Sequence, residues 1–490
     1  MTDAADIPFE HTYAGLGDAF STACAPTAVA APSLIAFNWA LAEQLNIHLP
    51  QDPPLLAQYF SGNRLLPSAR PVAQKYAGHQ FGSFNPRLGD GRALLLGELI
   101  DQQNLRRDVQ LKGAGPTPYS RNGDGRAALG PVLREYLISE AMYHLGIPTT
   151  RALACVSSGE PVWRDGPKPG AMLTRIARSH IRVGTFEFFY RQGLLDEVKT
   201  LADYVITRHY PAAQTAENPY RALLTSVIKA QAELVAHWMH VGFIHGVMNT
   251  DNTSVSGETI DYGPCAFMDT FVFHQCFSSI DLEGRYAFSR QPHIALWNLS
   301  RFAECLLALL DENQQNAIAQ AEASLEQFHS LYQTAWLNGW RKKLALDDQN
   351  DDTDARFVLD YLQCLRLYGL DFTFTNRNLA TAIDAELPHT DLSDKPQLTA
   401  WLEQWRTRIR ARRLSPQTIK DALLAANPAF IPRNYWVEKA IQHAQEDGDF
   451  TLFHELLTLA EQPFNLQAGK EIYSNPPPGF DGPYQTFCGT

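Results

Sequence analysis

The sequence predicts an α+β fold with a strand-rich N-terminal lobe and a helical C-terminal lobe. Between residues 71 and 190 strand signals dominate, as in RALLLGELI at 92–100 and DVQLK at 108–112, which are apolar runs bounded by glycine or polar residues. After about residue 190 apolar residues recur at helical spacing. The predicted order is therefore strands, one helix, strands again and then helices.

The elements of the first lobe follow from local signals. Residues 1–70 are rich in Ala and Pro and predict an extension that packs on the rest, with one helix at 34–45. Apolar residues at spacing four predict a helix over 128–145. We expect strands at 151–156 and 171–177 to pair through turns at 157–159 and 166–167. Residues 71–190 then form the N-lobe.

The second lobe is predicted to be helical throughout. Asn218 and Pro219 are typical of a helix start, and the apolar period after them continues to Gly242. Residues 191–330 form the C-lobe and 331–490 a helical region that ends in a Pro- and Gly-rich tail.

Composition limits the classes of partner. With 45% hydrophobic residues in 490, the chain can bury a large core in two to four domain-sized units. A net charge of −12 argues against nucleic acid as a partner. The absence of an 18-residue apolar run or a signal peptide predicts no membrane partner and a cytoplasmic protein, expected as a monomer. The seven cysteines lack metal-ligand spacing, so zinc is not expected.

The segment 245–263, HGVMNTDNTSVSGETIDYG, is similar to the active-site core of a protein kinase. Kinases place a catalytic Asp and a metal-binding Asn in an H-x-D-x-x-x-x-N loop, followed by D-F-G, whose Asp binds metal on the phosphates. Asn252 and Asp261 keep the two metal positions, but Val247 stands in place of the catalytic Asp. Valine cannot accept a proton, and a different carboxylate, Asp251, precedes Asn252. We therefore expect a kinase-like two-lobe fold with a displaced base.

Four further motifs accompany this segment along the chain. They are GHQFG at 78–82, LGDGR at 88–92, VQLKGAGPTPYSR at 109–121 and NPAFIPRNYW at 427–436. Together with the kinase-like segment they resemble the selenoprotein O (SelO) family. That resemblance implies a pseudokinase fold that transfers AMP, rather than phosphate, from ATP to hydroxyl side chains of proteins.

Candidate ATP-binding residues lie in the N-lobe. Lys112 ends a strand and Glu135 lies 23 residues later on the predicted helix, which matches the kinase Lys–Glu pair. The tetrapeptide GDGR occurs twice, and glycine backbone with Arg suits phosphate, although each copy alone is also good turn sequence. The resemblance assigns these residues to the ATP site: Gly89, Gly91, Arg92, Asp124 and Gly125.

Two arginines follow in MLTRIARSHIRVGTFEF. Arg175 and Arg182 indicate an anion near the cleft or, read alone, a solvent-facing strand end. In the resembling family these positions hold the terminal phosphates of an ATP bound in reverse orientation. That orientation would make pyrophosphate the leaving group and present the α-phosphorus to the hydroxyl.

Oxygen ligands in the kinase-like segment predict the metal and the base. Asn252 and Asp261 suit Mg²⁺, with Mn²⁺ as the alternative, and Asp261 also contacts ATP. Asp251 is the expected proton acceptor. A phosphotransferase related to aminoglycoside kinases and an inert nucleotide-binding scaffold remain alternatives to AMP transfer.

The resemblance also implies redox chemistry at the C-terminal tail, because some relatives carry selenocysteine near the position of Cys488. Cys276 follows the D-Y-G motif by 13 residues and is the expected partner. We expect a reversible disulfide between Cys276 and Cys488 that lowers activity when oxidised.

Overall fold

The computed structural model describes residues 7–346, 353–384, 387, 391, 393–477 and 484–486, and the fold is α+β. The strands are β1 (Ser21–Ala23), β2 (Ser33–Phe37), β3 (Val72–Gln74), β4 (Gly78–Gln80), β5 (Ser83–Asn85), β6 (Ala93–Ile100), β7 (Arg106–Lys112), β8 (Ala127–Ala128), β9 (Arg151–Arg164), β10 (Gly166–Ala177), β11 (Phe243–Ile244) and β12 (Ala266–Phe267). The helices up to the catalytic segment are α1 (Trp39–Gln44), α2 (Pro53–Phe60), α3 (Leu129–His144), α4 (Val183–Tyr190), α5 (Leu195–His209) and α6 (Pro219–Val241). Those after it are α7 (Gln291–Leu310), α8 (Gln314–Leu325), α9 (Gln327–Lys343), α10 (Asp354–Leu367), α11 (Phe372–Ala382), α12 (Pro396–Ala411), α13 (Pro416–Ala426), α14 (Asn434–Glu446), α15 (Thr451–Ala460) and α16 (Glu471–Ser474).

One antiparallel sheet organises the first part of the chain. Its strand order is β1-β3-β6-β7-β10-β9-β2, and β8 pairs with β10. Helix α3 packs on this sheet, where Leu133 and Leu137 join a core with Leu173 of β10 and with Val437 of α14. Helices α14 and α15 thus also pack against α3.

The strands and the helix predicted for the first lobe are confirmed in their core positions. Strand β6 begins one residue after the start of the predicted strand 92–100, and β7 includes all of 108–112. Helix α3 matches the predicted 128–145 to within one residue at each end. The pairing of 151–156 with 171–177 is confirmed by β9 and β10. The predicted turn at 157–159 is wrong, because β9 continues to Arg164 through a bulge, where Gly159 adopts a φ of +72°.

The N-terminal segment differs from its prediction. The helix expected over 34–45 begins only at Trp39, and SLIAF at 33–37 is strand β2, paired with β9. Asn38 explains the boundary, because its side chain accepts the Leu41 N–H and caps the helix. Strands β1 and β2 form the two ends of the main sheet, a role that the local pattern did not indicate.

The kinase-like segment follows a long, largely buried helix, α6. Asn218 caps α6 by accepting the N–H groups of Tyr220 and Arg221, and Gly242 ends it with a φ of +71°. Strand β11 then pairs with β12, so that the loop between them is held at both ends. The predicted helix from Asn218 to Gly242 is confirmed, and it leads directly into the kinase-like segment.

Among the described residues one helical stretch, Phe288–Leu310, could cross a membrane by length and composition alone. Half of the residues in its most apolar 18-residue stretch are buried inside the fold (50%). Helices in the core of a protein can have the same length and composition. Leu299, Phe302 and Leu306 are fully buried in the main core. Packing within the fold therefore accounts for its apolar face.

Candidate active site

A cavity of about 550 Å³ opens between the main sheet and the loop after β11, a volume typical of small-molecule sites. Most of the residues that the sequence singles out lie on its wall: Gly89, Gly91, Arg92, Lys112, Asp124, Gly125, Arg175, Arg182, Asp251, Asn252 and Asp261. Glu135 is set behind the wall, on α3. The structure thus brings the proposed nucleotide, metal and base residues to one place.

A network of four charged side chains, of which Lys112, Glu135 and Arg175 are buried and Asp261 is partly exposed, lies at the cavity wall. Lys112 Nζ donates to Glu135 Oε2 at 2.6 Å and to Asp261 Oδ1 at 3.3 Å. Arg175 donates through Nε to Glu135 and through Nη2 to Asp261 Oδ1 at 2.8 Å. The Lys–Glu pair is the one that the kinase comparison predicts. Arg175 is held by carboxylates in this state, while its guanidinium remains on the cavity wall.

Arg182 is a buried cation whose ion pair with Asp90 is long. Its guanidinium lies 4.3 Å from the ring centroid of Tyr76, and Nη1 is 4.0 Å from Asp90 Oδ1. Its Nε has no hydrogen-bond partner among the described residues. A buried guanidinium in this condition favours an anion beside it.

The two GDGR turns need glycine for reasons of space. A Cβ at Gly125 would lie 2.0 Å from the Gly115 carbonyl oxygen, and the φ of Gly125 is +63°. Gly89 has a φ of +79°, and a Cβ there would meet the Tyr119 ring at 2.6 Å. Both turns therefore bring bare backbone to the cavity, the arrangement that phosphate binding uses.

The histidine of the kinase-like segment has a structural role. His245 Nε2 donates to the Ile260 carbonyl oxygen at 2.9 Å, and the Val247 N–H donates to Nδ1 at 3.4 Å. Burial lowers the pKa of His245, which keeps the ring neutral. The imidazole thus ties the start of the loop to the residue before Asp261.

Asp251 presents a carboxylate with a near-neutral pKa. It lies in a single 3₁₀ turn, Thr250–Asn252, and is 8% exposed. Burial raises its pKa to about 7, against the opposing effect of the Arg182 charge and of a hydrogen bond from Gln80. Oδ1 has no partner among the described residues. A carboxylate of this pKa can accept a hydroxyl proton at neutral pH.

Asn252 and Asp261 offer oxygen atoms to a cation. Asn252 Nδ2 donates to the Val247 carbonyl oxygen at 3.1 Å, so that its Oδ1 stays an available ligand. Burial would raise the pKa of Asp261, but the charges of Lys112 and Arg175 hold it well below its usual value. Asp261 therefore stays ionised, and hard oxygen ligands of this kind fit Mg²⁺.

No group of three or more His, Cys, Asp or Glu that could hold a metal is present in the described part of the chain. A cation at Asn252 and Asp261 would thus have few protein ligands. Mg²⁺ commonly binds in this way, with substrate phosphates and water completing its shell.

Two residues beside Asp251 were given no role from the sequence. Gln80 donates to its carboxylate, and Gly78 approaches it closely; both belong to the GHQFG motif. The motif itself was the available signal, because it was part of the family resemblance. Its contact with a loop 171 residues away could not be inferred from local pattern.

The redox prediction falls partly on undescribed sequence, since Cys488 lies outside the described residues. Cys276 is half-buried, with Sγ 3.3 Å from Asp281 Oδ2, and burial together with that carboxylate raises its pKa to about 12. Thr486 pairs with the segment that follows Cys276: its N–H donates to the Phe277 carbonyl oxygen at 2.7 Å. Thr486 is therefore held beside the residue that follows Cys276.

Comparison with known proteins identifies relatives over nearly the full length. The family model described as protein adenylyltransferase SelO matches residues 3–461. The protein nucleotidyltransferase YdiU of Rhizobium johnstonii is 51% identical over 493 residues, covering 99% of this chain and 98% of the relative. Proteins of the same name from Rhodopseudomonas palustris (strain BisB18) and Agrobacterium fabrum are 52% and 51% identical, each over 99% of this chain and 100% of the relative. The range matched by the family model, 3–461, spans the positions of all the cavity-wall residues.

Proposed function

The chain belongs to the SelO family of protein adenylyltransferases, and from this premise we propose its reaction in detail. Membership makes it a nucleotidyltransferase with ATP as co-substrate and proteins as substrates. The proposed reaction moves AMP from MgATP to Ser, Thr or Tyr hydroxyls and releases pyrophosphate. The proposed fold is the two-lobe arrangement of kinases, supported by a main sheet whose strands all end by residue 177 and by a mostly helical chain from residue 183 onward.

One observation carries the proposal. Val247, at the position of the kinase base, has no proton-accepting group, while Asp251 lies on the cavity wall four residues later. The base has therefore moved relative to the metal residues. A displaced base suits attack at a different phosphorus of the nucleotide.

In the proposed step Asp251 accepts the proton of the substrate hydroxyl. The hydroxyl oxygen bonds to the α-phosphorus, and the bond from that phosphorus to the bridging oxygen of pyrophosphate breaks. Arg182, Lys112 and Arg175 are the nearby cations that would hold the leaving charge. When bound at Asn252 and Asp261, Mg²⁺ would neutralise phosphate charge.

The test uses ATP labelled separately at the α- and γ-phosphorus, with the purified protein and a protein acceptor. Transfer of α-label, reduced by about 10²- to 10⁴-fold in Asp251→Ala, is the expected result. Transfer of γ-label alone would contradict AMP transfer and favour a phosphotransferase. Tight ATP binding without transfer of either label would favour an inert scaffold.

The redox prediction remains part of the proposal. Cys488 is two positions after Thr486 in the sequence, and an extended chain covers at most about 7 Å in two residues. Oxidised glutathione would accept the electrons of both thiols as they form a disulfide. A monomer in the cytoplasm, without membrane or nucleic-acid partners, is proposed for the working state.

A further inference from the structure

The β4–β5 hairpin lies outside the main sheet and contacts the turn that bears Asp251. Among the described residues its two strands pair with each other and with no other strand, Gly78 opposite Asn85 and Gln80 opposite Ser83. We propose that this hairpin positions the base, with Gln80 as a positioning residue that orients the Asp251 carboxylate. The inference rests on the proposed function, because it takes Asp251 to be the base.

Consecutive residues of the hairpin bind consecutive residues of the loop. The His79 N–H donates to Thr250 Oγ1 at 2.7 Å, and Gln80 Nε2 donates to Asp251 Oδ2 at 3.2 Å. The Phe81 N–H donates to Asn249 Oδ1 at 3.1 Å. The hairpin thus contacts the base and the two residues before it.

Asp251 needs a hydrogen bond from the hairpin because His245, the histidine of the loop, contacts Val247 instead. His245 binds the Val247 N–H, where a kinase has its catalytic Asp. Asp251 is four residues further along and receives a side-chain hydrogen bond from Gln80. Since Oδ1 has no partner in the described part of the chain, the Gln80 amide is the contact that selects one carboxylate orientation.

Gly78 fixes the distance between hairpin and base. A Cβ at this position would lie 2.5 Å from Asp251 Oδ1 and 2.9 Å from Asp251 Cβ. Such contacts would force the carboxylate to turn away. The absence of a side chain at Gly78 thus permits the position that Asp251 occupies.

A second layer holds the hairpin to helix α4. Glu187 contacts His79 Nδ1 through one oxygen and accepts the Thr250 hydroxyl through the other. The Glu187 side chain is 2% exposed and that of His79 7%. Hairpin, loop and helix therefore share one buried hydrogen-bonded group, which makes the Gln80–Asp251 contact a rigid one.

The test compares Gln80→Glu, Gln80→Ala and Gly78→Ala with the control Ser83→Ala, an exposed site on the same hairpin. Misplacing a reacting group by about 1 Å can cost about 10²-fold in rate. We expect kcat for AMP transfer to fall by about that factor in Gln80→Ala and Gly78→Ala. Gln80→Glu should fall further, because two carboxylates then face each other. In Gln80→Ala the Kd for MgATP, measured by calorimetry, and the Tm should stay at the wild-type values.

The other possible outcomes distinguish a failure of the Gln80 role from a failure of Asp251 as the base. Wild-type kcat in both Gln80 variants, with Asp251→Ala inactive, would overturn the inference and leave the proposed base intact. A fall in kcat accompanied by equal loss of MgATP binding and of Tm would show a structural role and also overturn it. Full turnover of Asp251→Ala would refute the proposed base itself, which is a separate failure.

Discussion

Replacing Glu135 with Gln tests how the cavity cations are held. The Glu135 side chain is 2% exposed and forms ion pairs with Lys112 and Arg175, both buried. The substitution keeps the size of the side chain but leaves Asp261 as the shared carboxylate of both cations. Removing one partner of a buried ion pair costs about 3–5 kcal/mol, so the free energy of unfolding should fall by about that amount. MgATP binding should weaken as well, because Lys112 and Arg175 lose their positions.

Glu140→Gln is the matched control on the same helix. Glu140 is 1% exposed and accepts Arg151 Nε at 2.9 Å and Nη2 at 2.6 Å, away from the cavity. Its loss should destabilise by a similar amount, about 3–5 kcal/mol. The Kd for MgATP should nevertheless equal that of the wild type, because Glu140 does not contact a cavity cation.

Urea unfolding and calorimetric titration with MgATP measure the two effects. The reasoning is refuted if Glu135→Gln keeps the wild-type Kd, or if both variants weaken MgATP equally. The free energy of unfolding should also depend on pH through Glu135. Burial would raise the pKa of Glu135, but Arg175 and Lys112 bring it below 4.5. The stabilisation from Glu135 is therefore complete above pH 4.5 and is lost as the pH falls through the folded-state pKa.

Three other outcomes are expected. Asp251→Ala should bind MgATP but lose about 10²- to 10⁴-fold in AMP transfer, whereas Asp261→Ala should lose binding and transfer together. Full activity in Asp251→Ala would require another base. Gly125→Ala should abolish MgATP binding, because its Cβ would meet a carbonyl oxygen at 2.0 Å; retained affinity would contradict the fit of this turn. Peptide mapping after treatment with oxidised glutathione should find Cys276 linked to Cys488, and dithiothreitol should then raise activity. Two free thiols, or a bridge without effect on activity, would reject the disulfide or its regulatory role.

The local sequence pattern predicts the bounds of helices and strands whose start and stop residues lie within or beside them. Asn218 and Gly242 mark the ends of α6 because capping is a property of a few neighbouring residues. Lys112 ends β7 as its apolar run predicts. The cavity residues could be gathered from sequence because motifs of one family fix their mutual positions in space.

Contacts between distant segments were not predictable in the same way. The Gln80–Asp251 hydrogen bond joins residues 171 positions apart, and neither residue has a local pattern that names its partner. Arg175 contacts Glu135 and Asp261, because a buried cation pairs with the nearest carboxylates, and its local sequence does not indicate either partner. Strand β2 overlaps the helix predicted over 34–45, because its five residues form a strand by pairing with the distant β9.

The position of β1 and β2 at opposite ends of the main sheet bears on how the chain can be divided. Both strands are short, three and five residues, and they cover β3 and the 14-residue β9. A fragment that began after residue 70 would expose the backbone of β9 as a long free edge. Free edges of this kind pair with other copies and aggregate. Strands β1 and β2 thus cover the edges of the main sheet, and we expect the rest of the chain to stay soluble only when both strands are retained.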